Sequence, residues 1–329
     1  MKKIIYLLTI SVLLVAIHTN CKKDVGVCGV KLNKSSLTLV VGETKTLIAT
    51  VFPENAINKI VFWRSSNFNI ATVVDGIITA KDVGQSTISV TTEEGNYTAI
   101  CVIYVIPKED CVIINDIKWA TRNLAAHGKF VEKQEDYGAL FQWGRKGDGH
   151  EQRTSPNYPT NDISNETGIV SGTENFDSNG QIVSTHAAYG KFIKGSDHPR
   201  DWRNPYDLTL WNSGSENSPK KTANDPCPAG WRTPTQRELA SLVESGSEWV
   251  SCPVPCRYFG SDTHRLFLPA AGYRHLWNGQ IIGMGWYGDY WTSTSDSTHA
   301  GYLDFSSSNF FVTRHFHTCG LSVRCVAEN

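Results

Sequence analysis

The tightest cluster of reactive side chains in this 329-residue chain is Cys252-Pro253-Val254-Pro255-Cys256. Close thiols perform redox chemistry when one of them is exposed and ionised, but two prolines between them shape a small disulfide loop. His315 and His317 alternate across Phe316; on a strand that spacing puts both imidazoles on one face, where a metal could take them. No third ligand lies at short spacing, so a packed or surface histidine pair is the expectation. Asp148, Asp177 and Asp289 stand in loop-like text and have the oxygen chemistry of a structural Ca²⁺ site. Nothing in their spacing supports the ion, and no cofactor or metal is expected. Trp211, Trp277, Trp286 and Tyr287 sit among Gly and Asn. Their rings could stack on sugar faces or anchor a protein interface, which makes them the candidate ligand-binding residues. The sequence holds no Gly-X-Ser-X-Gly, His-Glu-X-X-His or P-loop, so no catalytic residue is named.

The chain that must position these groups has 31 basic and 32 acidic side chains, a net charge of −1. That balance speaks against a nucleic-acid partner, which calls for a basic stripe. A hydrophobic share of 40% with 19% charged residues excludes wholesale disorder. Ten Trp, two Met and nine Cys suit an exported, oxidised protein. Lys2 and Lys3 precede an apolar run from Ile4 to Ile17, shorter than the roughly 20 residues of a membrane span, so residues 1–20 read as a signal peptide. Cys21 follows, then Lys22-Lys23-Asp24, and the arrangement resembles the lipobox of bacterial lipoproteins. The resemblance implies a lipid on Cys21, a tether over residues 21–26, and anchoring at the bacterial cell envelope, in the outer membrane or at the cell surface. The lipid would then be the chain's one membrane contact. Eight cysteines remain to close as disulfides.

Residues 27–106 alternate apolar and polar positions in about seven short runs separated by turn signals, among them Asp75-Gly76 between Val74 and Ile77. Such spacing reads as an all-β sandwich. Leu39-Val40-Val41-Gly42-Glu43-Thr44, Phe62-Trp63-Arg64-Ser65-Ser66-Asn67, Asp75-Gly76-Ile77-Ile78-Thr79-Ala80 and Gly84-Gln85-Ser86-Thr87-Ile88 resemble the bacterial immunoglobulin-like domain, group 2. The resemblance implies a spacer or adhesive module, with Trp63 between its sheets. Cys28 and Cys101 fall in the first and last strands and are a candidate pair.

Pro107-Lys108-Glu109-Asp110 reads as a linker over residues 107–110, and nine of the ten Trp lie beyond it. Residues 111–329 read as an α+β domain of short antiparallel strands and long loops, with an Asn115-Asp116 turn and a polar loop region over 145–226. One helix is expected, capped by Thr233 with Pro234 at its first position and Gln236 closing the capping box. Leu239, Leu242 and Val243 give it an apolar face. Cys227 with Cys325 and Cys111 with Cys319 are candidate disulfides beside Cys252 with Cys256, although eight cysteines admit 105 pairings.

Trp119-Ala120-Thr121-Arg122-Asn123, Phe141-Gln142-Trp143-Gly144, Cys227-Pro228-Ala229-Gly230-Trp231-Arg232, Leu268-Pro269-Ala270-Ala271-Gly272-Tyr273-Arg274, Tyr290-Trp291-Thr292-Ser293-Thr294 and Ser322-Val323-Arg324-Cys325-Val326 resemble the Fibrobacter succinogenes major paralogous domain. That resemblance implies a fold related to C-type lectins and to the formylglycine-generating enzyme. The calcium-binding triplets of C-type lectins, Glu-Pro-Asn or Gln-Pro-Asp with a later Trp-Asn-Asp, are missing, so a sugar-type Ca²⁺ site is not expected. The enzyme branch would use a copper-holding thiol pair, for which Cys252 and Cys256 are the candidates; the structural reading of the pair stands against it. The expectation is a non-enzymatic surface lipoprotein whose first domain holds out the second to bind glycan or protein. A structural or assembly component of a surface complex is the alternative, and a formylglycine-generating-type enzyme the second.

Overall fold

A computed structural model of the chain describes residues 26–159, 168–195, 201–251, 253–261, 263–297 and 299–328. Residues 1–20, Cys21 and Cys252 lie outside them. Nine strands build the first domain: β1 (Gly29–Leu32), β2 (Ser36–Val40), β3 (Thr44–Thr46), β4 (Ala49–Phe52), β5 (Val61–Ser65), β6 (Ala71–Val74), β7 (Ile77–Ala80), β8 (Gly84–Thr92) and β9 (Thr98–Ile106). One sheet runs β2-β9-β8-β5, with β2 parallel to β9; a second runs β3-β7-β6, and β1 pairs with β4. Period-two alternation puts Ile88, Val90, Cys101, Ile103 and Val105 inside, against Leu37, Leu39 and Ile78. Asp75 and Gly76 both have positive φ and close the β6–β7 hairpin, as the turn chemistry requires. Trp63 packs half-buried on this core.

The second domain is mostly β, with several small sheets and a single nine-residue helix among the described residues, so it carries less helix than an α+β reading implies. It opens with β10 (Cys111–Ile114) and β11 (Ile117–Ala120), joined by Asn115-Asp116 at positive φ. β11 pairs with the strand Val326–Ala327, which also pairs with Trp231–Arg232, so the two ends of the domain share one sheet. The helix α1 (Gln236–Glu244) starts two residues later than the first threonine suggests: Thr235 is the cap and Glu238 closes the box. The same Glu238 carboxylate also accepts two N–H groups of Arg232. Leu239 and Leu242 are buried and Val243 packs beside them, against Phe259, Leu303 and Phe305.

The described residues between 145 and 226 form little regular structure beyond a 3-10 turn, Thr173–Asn175, and two-residue strands, Asn157–Tyr158 beside Phe192–Ile193 and Val170–Ser171 beside Arg203–Asn204. They are organised by buried rings. Trp202, Trp211 and Phe192 are fully buried, and the indoles of Trp202 and Trp211 donate to the carbonyls of Trp143 and Arg145 respectively. Polar loop text thus folds around aromatic anchors whose N–H groups find backbone acceptors.

The two domains are docked. Thr38 of β2 donates its hydroxyl to Gly230 O at 2.6 Å and its N–H to Glu328 O at 2.9 Å. Gly230 takes φ +80°, and a Cβ there would meet the Tyr104 side chain at 2.8 Å, so only glycine allows this approach. Lys118 donates to Thr38 O and pairs with Glu43.

Cys227 and Cys325 form a disulfide across 98 residues of sequence. The pairing of Cys28 with Cys101 does not form: Cys101 is a free thiol inside the sandwich, while Cys28, disulfide-bonded elsewhere, lies outside the core beside Phe52. Cys111 and Cys319 are likewise free, Cys111 half-buried at the start of β10 and Cys319 buried in the turn before the strand Gly320–Leu321. Cys256 is a free buried thiol as well.

Candidate ligand-binding face

Two loops place aromatic side chains in solvent on one edge of the second domain. The first joins the strands Tyr273–Arg274 and Ile281–Ile282 and carries Trp277, 59% exposed; the second, Gly283–Tyr287, carries Trp286, 72% exposed, with Met284 and Tyr287 beside it. Neither loop is loosely held. Arg274 donates to Gly279 O at 2.8 Å, to Ser155 O at 2.6 Å and to Asn157 Oδ1 at 2.8 Å, and Asn157 Nδ2 reaches Asn278 O at 3.0 Å. One guanidinium therefore ties the Trp277 loop to the long polar insertion. In the second loop Trp286 and Tyr287 both donate backbone N–H to Gly283 O, and Gly272 N–H is bonded to Tyr287 O, all at 2.8 Å. Gly283 supplies the positive φ this turn needs, and a Cβ there would strike the Tyr287 ring.

Behind the rings lies an acidic pair. Asp289 and Asp304 are direct partners between the strands Gly288–Asp296 and His299–Phe305, which puts their side chains on one face about 5 Å apart at Cβ. Asp289 is buried with Oδ2 lacking a partner. Burial, then the neighbouring Asp304 carboxylate, hold its proton affinity well above the usual carboxylate range. Asp304 is also raised by burial, against the opposing hydrogen bond from the Tyr302 hydroxyl at 3.3 Å. A row of rings, Trp277, His275, Tyr273, His315 and Tyr302, continues from the exposed edge to this pair, with successive centroids 5.2–6.2 Å apart. Burial, with His275 and His299 nearby, pushes the His315 pKa down to about 4, so its ring is a neutral member of the row at physiological pH. The surface offers flat apolar faces edged by carboxyl and hydroxyl groups, which suits a sugar ring or a protein aromatic anchor.

Trp277, Trp286 and Tyr287 stand where a ligand could meet them, and Trp211 does not. Its text of Gly, Ser and Asn reads as an exposed loop, but Ser213 N–H bonds Lys220 O and Asn212 bridges Lys221. This small hairpin turns the indole inward onto Trp143. The two histidines also part company. His315 joins the ring row, whereas His317 lies past the end of its strand, fully buried and stacked on Trp143 at 4.4 Å. They share no ligand position. The carboxylates at Asp289 and Asp304 were half legible: Asp289 was marked for its loop-like text, while its cross-strand partner leaves no local sign.

Asp148, His150 and Glu151 form the one group among the described residues whose ligand atoms lie within 4.8 Å of one another. Each is already committed. His150 Nδ1 bonds Asp148 at 2.6 Å and its Nε2 accepts the Gln142 N–H at 3.2 Å; Arg145 holds the other Asp148 oxygen at 2.6 Å. Burial opposes ionisation of Asp148, but His150 and Arg145 outweigh it and hold the carboxyl well below the usual range. A guanidinium where a cation would sit makes this a structural ion network. Asp177 Oδ1 accepts the N–H groups of Asn179 and Gln181 and so closes a turn. Burial pushes the Cys256 thiol up to about 11, which leaves little thiolate for redox work at neutral pH.

The family model for the bacterial Ig-like domain (group 2) matches residues 27–103. The chain is 40% identical over 93 residues to an uncharacterised protein of Clostridium acetobutylicum, a match covering 26% of this chain and 23% of that one. It is 37% identical over 84 residues to an α-L-arabinofuranosidase of Bifidobacterium longum, covering 25% and 8%, and 44% identical over 70 residues to a κ-carrageenase of Pseudoalteromonas carrageenovora, covering 21% and 18%. The chain thus spans less than a quarter of the length of each of these relatives. The Ig-like domain and the disulfide point to an extracytoplasmic protein. Residues 27–103 are a bacterial Ig-like domain of group 2, at the N-terminal side of a mostly β chain.

Proposed function

We propose that this chain is a surface lipoprotein that binds glycan through the exposed aromatic face of its second domain, with Cys21 as the lipidated anchor and the Ig-like domain as a rigid mount. The observation that carries the reading is the presentation of Trp277, Trp286 and Tyr287 in solvent by loops fixed through Arg274 and Gly283. Exposing rings that could be buried costs hydrophobic free energy, so a fixed, exposed set has the character of a recognition surface. Ig-like domains of this group occur in surface and carbohydrate-active proteins, and two of the relatives are named for enzymes that act on carbohydrate. The resemblance to the major paralogous domain, with its lectin-like fold, favours binding over catalysis, and the high Cys256 pKa weighs against the formylglycine-generating alternative.

The test is a glycan array with the disulfide-intact protein, with and without Ca²⁺. Binding that is lost in Trp277→Ala and Trp286→Ala while the fold persists supports the reading. A silent array, with a native surface complex that dissociates on the same substitutions, would instead assign the face to a protein partner and make the chain an assembly component.

A further inference from the structure

Away from the aromatic face, three side chains from distant parts of the sequence form a hydrogen-bonded chain. Asp201 Oδ2 lies 2.7 Å from His317 Nδ1, and His317 Nε2 lies 2.8 Å from Ser295 Oγ. Asp201 and His317 are almost wholly buried, and Ser295 is half-buried. The carboxylate fixes the tautomer: with Nδ1–H donated to Asp201, Nε2 is left as an acceptor facing the Ser295 hydroxyl at 2.8 Å, nearer than the hydroxyl's other acceptor, the His299 carbonyl at 3.1 Å. Trp143 stacks on the imidazole at 4.4 Å and 20° and holds the ring plane, while the Arg203 N–H at 3.3 Å steadies the other carboxylate oxygen.

The backbone supplies a second observation. Ser295 follows a bulge: between Trp291, paired with Tyr302, and Ser295, paired with Ala300, the strand holds three residues opposite one. Bulges re-aim side chains and recur beside active sites. This one is pinned from the helix side, since Ser293 N–H bonds Pro234 O at 2.7 Å and Gln236 N–H bonds Thr294 Oγ1 at 2.9 Å. Without the two extra residues, Ser295 would not lie opposite Ala300 and within reach of His317.

We propose that Ser295 is a nucleophile activated by His317 and Asp201, and that it takes the acyl group of small carboxylic esters. The proposal goes beyond the binding reading and does not depend on it. Ser295 Oγ forms a bond to the ester carbonyl carbon as its proton passes to His317 Nε2. The alkoxide leaves with that proton, giving an acyl-serine. Water, deprotonated by the same nitrogen, then attacks the acyl-serine, releases the carboxylic acid and restores the hydroxyl. Ala300 stands directly across from Ser295 and His315 across from Ala300, so a short methyl-sized neighbour closed by a ring suits an acetyl group better than a long chain. Asp289 lies opposite Asp304 and Ser295 opposite Ala300, and those partners are four residues apart on the unbulged strand, about 13 Å, so an acetylated oligosaccharide could span both places.

The experiment is labelling of the whole chain with a fluorophosphonate, mapped by peptide mass spectrometry, together with p-nitrophenyl acetate turnover. The expected result is a single adduct on Ser295, absent in Ser295→Ala, with the exposed serines Ser297 and Ser308 unmodified as internal controls. Asp201→Asn should slow labelling at least about 100-fold with unchanged circular dichroism; it serves as the second variant because removing the buried His317 ring can unfold the domain. An unlabelled Ser295 in folded protein, beside a serine esterase that labels in the same tube, overturns the proposal, as does labelling that Asp201→Asn leaves unchanged. Glycan-array results bear only on the aromatic face, so either reading can fail alone.

Discussion

Lys118 Nζ lies 2.8 Å from Glu43 Oε2 and 2.8 Å from the Thr38 carbonyl, a lysine of the second domain buried in the edge of the first. Its cost of desolvation is met by partners across the junction. Removing Glu43 leaves the ammonium with one neutral acceptor, and since the carboxylate is itself partly exposed, the loss is about 1–3 kcal/mol rather than the full cost of breaking a buried pair. Glu43→Ala should therefore lower the urea midpoint and separate the unfolding of the two domains. Coincident fluorescence and circular dichroism transitions in the variant would argue against this coupling.

The Cys227–Cys325 bond closes 98 residues. A loop of that length restricts the unfolded chain by roughly 4–5 kcal/mol in the chain-entropy account. The double Cys→Ser variant should lose stability of that order in guanidinium titration, and the wild-type protein under reductant should lose at least as much, because the Cys28 disulfide is reduced with it.

Trp211 and Trp286 separate packing from recognition. Trp211→Ala empties a site between Trp143 and the insertion and should cost about 3–5 kcal/mol. Trp286→Ala should change stability by less than about 0.5 kcal/mol and weaken ligand binding more than about tenfold. Calorimetric unfolding and a binding titration on the same two variants read both quantities.

The position of Trp211 also shows where sequence reading stops. The Asp75-Gly76 and Asn115-Asp116 turns are legible because their positive φ angles depend on the residues that occupy them. The helix is legible from Leu239 and Leu242, yet its start moves two residues, to a box of Thr235 with Glu238, because two threonines two residues apart each precede a Gln or Glu at the box spacing. Trp211 and His317 leave no local sign of their burial, since their hydrogen-bond partners Arg145 and Asp201 lie 66 and 116 residues away. Trp277 and Trp286 read correctly as exposed because glycine-defined turns at Gly279 and Gly283 hold them out. Cys101 and Cys319 stay free, against the expected pairings, for a related reason: spacing does not show which thiols the fold brings within reach of each other.

His315 predicts an acid limb of stability. Its folded pKa is depressed to about 4 from an ordinary 6.5, so the folded state favours the neutral ring. The contribution, roughly 3 kcal/mol, is complete above pH 6.5 and is lost as the pH falls toward 4. Urea midpoints measured across that window should decline in the wild type and decline less in His315→Asn.

Asp289 and Asp304 carry the opposite sign. Their folded pKa values are raised, so the stability they confer is complete below the unfolded carboxylate value near 4 and is lost as rising pH ionises them. Asp289→Asn should be more stable than wild type at neutral pH, with the difference closing in acid. A constant gap across pH would show that the carboxyl is not titrating in that environment.

The parallel pairing of β2 with β9 has a mechanical side. Tension entering at the N-terminal end of β2 and leaving at the C-terminal end of β9 pulls two parallel neighbours in opposite directions along their length. Their register, from Ser36 with Val102 to Val40 with Ile106, is then loaded in shear, and its hydrogen bonds share the force instead of opening one after another. The Thr38 contacts to Gly230 and Glu328 leave the same strand sideways and carry part of that load directly into the second domain. A load applied between the start of β2 and the second domain would thus fall on a pairing arranged to resist it.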